Sequence, residues 1–150
     1  MAHFIDLLKG INMFTNAKLT EKLALLAALN PASVAPGTVL TAWVLAANFH
    51  SIAALIQTGV LGASATINAS LQQALDSSGT SAKAVGSHAI AQIVQASGNN
   101  VQAFIECRTD ELDSGNGFIY VALSVTVGVA ASIVSGAIFG GNPPAPQTRL

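Results

Sequence analysis

Residues 118–139 read FIYVALSVTVGVAASIVSGAIF, twenty-two residues without a charge. A helix of that length spans the ~30 Å apolar layer of a bilayer. Two strands of an unusually apolar sheet are the other solution. Eleven of the residues are Ile, Val, Leu or Phe, each favouring insertion by roughly 0.3 to 0.6 kcal/mol at a helix centre. Hydropathy alone therefore leaves both readings open, and alternation separates them. Ile119, Val121, Leu123, Val125 and Val127 form one face of a strand, and Phe118, Tyr120, Ala122, Ser124 and Thr126 form the softer one. Gly128 breaks the pattern, and 129–139 supplies a second strand. Nine of the twenty-two residues are Val, Ile or Thr, which suits pleated backbone. The flanks also lack the marks of a span: Asp110, Glu111 and Asp113 lie upstream, and Arg149 is the one downstream cation. Two strands of a soluble domain are expected, and a small holin-like membrane protein spanning 118–139 is the alternative.

Working backwards, five similar runs precede this stretch and need closing strands. They are 38–46 (TVLTAWVLA), 50–58 (HSIAALIQT), 65–75 (ATINASLQQAL), 87–94 (SHAIAQIV) and 101–109 (VQAFIECRT). Turn residues such as Asp76-Ser77-Ser78-Gly79 and Ser97-Gly98-Asn99-Asn100 separate them. Short strands at this spacing predict an all-β fold, a jelly roll or β-sandwich of about eight antiparallel strands. The expected organisation is an N-terminal segment (1–37), the β domain (38–139) and an extended Pro-rich tail (140–150). Within the first segment, Leu19, Leu23, Leu26 and Leu29 recur at four, three and three residues before Pro31. That spacing predicts a helix over 18–29, with a strand as the alternative.

Composition narrows the function. Charged residues are 9% of the chain, against about 25% in an ordinary soluble domain. Such a surface suits burial in a large assembly or a membrane. Six Lys and Arg residues are dispersed, with no basic stripe for phosphates, so no direct nucleic-acid partner is expected. Cys107 is the single cysteine, which excludes an intrachain disulfide and fits a reducing compartment. The opening MAHFIDLLKGINMF lacks a basic start and an apolar core with a cleavage site, so no secretory signal is expected.

Chemistry-bearing motifs are sparse. No nucleophile elbow, phosphate loop or dinucleotide fingerprint occurs. His50 and His88 have no histidine or carboxylate within four positions, and His3 has only Asp6. No local spacing marks a metal site, and no catalytic or cofactor-binding residue stands out. His50 and His88 read as hydrogen-bonded strand residues, Asp110, Glu111 and Asp113 as a solvated loop, and Cys107 as a buried thiol with Arg108 on the opposite face. The glycines read as turn residues. A non-enzymatic association module without cofactor is expected.

Three ordered segments, TAWVLAANFHSIAALIQTGVLG (41–62), ATINASLQQALDSSGTSAKAV (65–85) and DELDSGNGFIYVALSV (110–125), sharpen this. Together they resemble the small cement, or decoration, proteins of tailed-bacteriophage capsids, those of podovirus-like phages such as a Bordetella phage among them. The resemblance covers roughly 38–139. It implies a jelly roll on the virion exterior, made in the host cytoplasm, that bridges neighbouring major capsid protein subunits and forms homodimers at local two-folds. It offers no catalytic residue. A connector or tail module of the particle is a further reading. The leucine-rich 16–30 stretch departs from the family's short N-terminal strand.

Overall fold

The computed structural model describes residues 16–141. His3 and Asp6 lie outside the described residues, as does the Pro-rich tail beyond Gly141. A four-residue helix, α1 (Leu19–Lys22), leads into ten strands: β1 (Leu23–Val34), β2 (Gly37–Leu40), β3 (Val44–Leu45), β4 (Ser51–Thr58), β5 (Thr66–Ala74), β6 (Lys83–Ala89), β7 (Ile93–Val94), β8 (Gln102–Arg108), β9 (Tyr120–Gly128) and β10 (Ser132–Gly141). The first sheet has the order β1-β10-β4-β8, the second β2-β9-β5-β6, and all pairings are antiparallel. β2 and β3 both pair with β9, and β6 and β7 both pair with β5. Each pair is one interrupted strand. Counted so, eight strands form sheets of order 1-8-3-6 and 2-7-4-5, the two Greek keys of a jelly roll.

The opening stretch becomes β9 and β10. Between them the chain turns at Val129, whose φ of 72° is in the left-handed region, and Ala130 donates its N–H to the Gly128 carbonyl. No helix among the described residues is long and apolar enough to cross a membrane, so the helical-span alternative for 118–139 is overturned. Val121, Leu123, Val125 and Val127 are all buried as alternation required, and they meet Ile52, Ile56, Val134 and Ile138 of the first sheet in one core.

The expected helix over 18–29 is corrected to one turn followed by a strand. The physical reason is a pair of bulges. Leu25 pairs with Phe139 and Ala27 with Ile138, so Leu26 has no opposite residue. A second irregularity places Asn30 and Pro31 against Ser135 alone. Each extra residue shifts the alternation, and Leu26 and Leu29 reach the core at helix-like spacing while the backbone stays extended. Pro31 is tolerated because β1 is an edge strand. The first sheet thus begins at Leu23, well before residue 38.

The Asp76–Gly79 turn shows how local chemistry fixes the loops. The Asp76 carboxylate accepts the N–H groups of Ser78 and Thr80 and the Thr80 hydroxyl. Gly79 takes φ +82°, and a Cβ there would lie 2.5 Å from Trp43 Nε1. Gly79→Ala is expected to cost about 2 kcal/mol, from left-handed strain plus displacement of the indole. A lowered urea midpoint with unchanged slope checks this.

Candidate functional site

The outer faces of the two sheets differ in chemistry. On the second sheet, Thr38, Thr126 and Asn68 stand in one cross-strand row, with the two threonine hydroxyls hydrogen-bonded at 2.8 Å. Leu40, Ser124, Ser70 and Ala89 form the next row. This face is mostly hydroxyl and amide. On the first sheet the rows are Leu25, Phe139, Ala53 and Glu106, then Ala28, Ala137, Leu55 and Phe104. Seven of those eight side chains are apolar. Leu25 is 64% exposed and Phe104 66%. Gln57, Gln102 and Ser135 border the patch at one end, and Glu106 and Arg108 at the other. A contiguous apolar face that crosses four strands, rimmed by polar groups, is the signature of an interaction surface.

The pattern follows from strand pairing. β10 and β4 are central, so their inward residues fill the core while Ala53, Leu55, Ala137 and Phe139 face outward and are only half-buried. Alternation that keeps both faces apolar is normal for a strand covered on both sides. Here one side lacks a cover among the described residues.

The acidic loop after β8 is more ordered than a solvated loop. Gln73, itself buried, accepts the Asp113 N–H at 2.8 Å and donates to the Ala84 carbonyl. Asp113 pairs with Lys83 and accepts from Asn116, and the Lys83 ammonium sits 4.0 Å from the Phe118 ring centroid. Glu111 accepts the Arg108 N–H through Oε2 at 2.7 Å. Its Oε1 lies 3.4 Å from His88 Nε2.

Cys107 completes this corner. It is a free, buried thiol, and burial followed by the Glu111 carboxylate pushes its pKa up to about 11. His88, Cys107 and Glu111 place one donor atom each within 4.8 Å of one another. They come from β6, β8 and the single turn after β8, positions 19 or more residues apart for His88 and its partners. Sequence spacing gave no sign of the cluster. Cys107 is buried as expected and Arg108 faces outward, whereas His50 is exposed and sits in the bend just before β4 and not in the strand.

Three surface carboxylates have lowered pKa values. The Thr80 hydroxyl acts first on Asp76, the Arg108 N–H on Glu111 and the Lys83 ammonium on Asp113. A folded-state pKa below the unfolded one adds stability that is complete above the unfolded value and disappears as pH falls through the folded value. The melting temperature is therefore expected to hold from neutrality to about pH 4.5 and to decline below it. Asp76→Asn should flatten that decline in a pH series of thermal melts.

No protein-family model matches the chain, and no characterised protein matches it in sequence. Similar solved structures include the SPBc2 prophage-derived protein YomS, at 10% identity over 79% of this chain and 93% of that one, TM-score 0.43. The Cowpea mosaic virus top component matches at 8% identity over 80% and 86%, TM-score 0.43. The CBM22-1 xylan-binding domain of Paenibacillus barcinonensis Xyn10C matches at 10% identity over 83% and 86%, TM-score 0.39. A virus particle and a sugar-binding module stand side by side in this set, and likeness at this level assigns no function.

Proposed function

We propose that the chain is a capsid cement protein, a structural component of a phage particle that docks on the shell exterior and bridges major capsid protein subunits. The observation that carries this reading is the apolar outer face of the β1-β10-β4-β8 sheet, opposed by a polar face on the other sheet. One molecule thus offers a side to bury and a side to leave in water. The low overall charge fits the same design, because docking then desolvates few ions. The sequence resemblance over 38–139 and the jelly-roll strand order supply the particle context.

The mechanism is mass action. A protein that binds the assembled lattice and not its separated subunits shifts the equilibrium toward the closed shell. A stable contact buries about 1,600 Å² in total, and even micromolar affinity amounts to about −8 kcal/mol per site. Repetition over a shell multiplies that gain.

The test is to add the purified chain to capsids assembled without it. Co-sedimentation at shell-wide copy number, with increased resistance to heat and osmotic shock, is the expected result. A few copies at one vertex would instead identify a connector, and capsids equally resistant without the chain would overturn the cement reading.

A further inference from the structure

We propose that His88, Cys107 and Glu111 form a binding site for a zinc-class divalent cation that ties the two sheets together at their open edge. The position in the fold is the first argument. β8 ends the first sheet and β6 ends the second, so no hydrogen-bonded ladder joins them. His88 comes from β6 and Cys107 from β8, with Glu111 on the turn that follows. An ion held by all three bridges a gap that strand pairing leaves unfilled.

The backbone is shaped to bring the histidine there. β5 and β6 pair regularly at Gln72 with Ala84 and again at Ser70 with Ala89. Four residues, Val85 to His88, therefore face Leu71 alone. Gly86 takes φ +48° within this excursion, and Val85 fills the core beneath it. Bulges of this kind re-aim side chains, and this one turns His88 toward Glu111.

Donor chemistry selects the ion. Thiolate, imidazole and carboxylate together suit Zn²⁺, which takes S, N and O at about 2.0 to 2.3 Å in tetrahedral sites. Ca²⁺ and Mg²⁺ require several oxygens, and the cluster offers one carboxylate. Tetrahedral donors stand about 3.5 Å apart. His88 Nε2 and Glu111 Oε1 are already 3.4 Å apart, and the set as a whole needs a contraction of about an ångström from its 4.8 Å limit. The Arg108 N–H holds the other Glu111 oxygen, an outer contact that orients the ligand. Cys107 and Glu111 also line an open cavity of about 400 Å³ with Ser51, Ile52 and Arg108. The cavity thus reaches two of the three ligand residues from solvent. On binding, the thiol proton leaves to solvent and the sulfur lone pair goes to the metal.

The experiment is titration of chelator-treated full chain with Zn²⁺ and, separately, Co²⁺. One ion per chain at micromolar affinity or tighter, a thiolate-to-cobalt charge-transfer band and a higher melting temperature with Zn²⁺ are expected. Cys107→Ser should abolish the band, and His88→Ala should weaken binding about a hundredfold, whereas His50→Ala should leave both unchanged. His88 is partly exposed, so its variant tests the site even where Cys107→Ser fails to fold. Absence of the band with Cys107 intact, or binding unaffected by His88→Ala, would overturn the site. Neither outcome depends on capsid docking.

Discussion

Replacing Leu25 and Phe104 together by aspartate is expected to abolish docking on the shell while leaving the folded state almost unchanged. Both side chains are mostly in solvent, so their loss opens no cavity, and exposed substitutions usually stay within about 0.5 kcal/mol. Leu25 stands opposite Phe139 in the ladder and Phe104 opposite Leu55, so the fold loses at most two cross-strand pairs, each worth at most about 1 kcal/mol. Binding is affected far more. A well-buried aromatic anchor carries about 2 to 4 kcal/mol of an interface, a thirtyfold to thousandfold change in affinity. An aspartate in the same place adds an unpaired charge that must be desolvated. Asn68→Asp on the opposite sheet is the control, with one of the two charges added on the polar face and no loss of docking expected. The readouts are co-sedimentation with capsids and a thermal melt of each variant. Undiminished docking of the double variant would show that another surface holds the shell. A homodimer of the parent chain that the double variant dissociates, without loss of docking, would assign this face to self-association.

The jelly roll was legible in the sequence wherever alternation ran undisturbed. In β9 the set Val121, Leu123, Val125 and Val127 faced the core as read, because one buried face and regular pleating leave only one register. β1 defeated the same rule. Its bulges at Leu26 and at Asn30–Pro31 convert period two into a local period of three, and they show only once β1 is laid against β10. The apolar outer face was half legible: Phe104 and Glu106 alternate visibly with Ile105 and Cys107, yet only sheet order shows that Phe104 lies beside Leu55, Ala137 and Ala28. The His88–Cys107–Glu111 cluster was not legible at all. It exists because β6 and β8 end different sheets at the same edge of the sandwich and because four residues bulge opposite Leu71. Neither condition leaves a mark in residue spacing.

Gly136 lies inside β10, within the second strand that the sequence supplies over 129–139, and its place there leads to the largest stability effect expected here. It is buried on the inner face of the first sheet, and a Cβ there would come within 2.7 Å of Leu123 Cδ2 and 3.2 Å of the Leu55 carbonyl oxygen. Leu123, fully buried on β9 of the other sheet, fills the space that the missing side chain leaves. Large and small residues thus interlock across the sandwich. Leu123→Ala should destabilise by about 3 to 4 kcal/mol, the transfer loss plus a cavity with little room to collapse. Gly136→Ala alone should cost about 1 to 2 kcal/mol, because the added methyl must push the leucine from its rotamer. In the double variant the new methyl enters the volume that Leu123 vacated. The two changes should then cost at least about 1 kcal/mol less than the sum of their separate effects, a coupling that neighbours in contact show and distant sites do not. Urea unfolding of the four proteins measures it as a double-mutant cycle. Strict additivity would mean that the two sheets meet through backbone spacing alone, and that the leucine and glycine are complementary by position only.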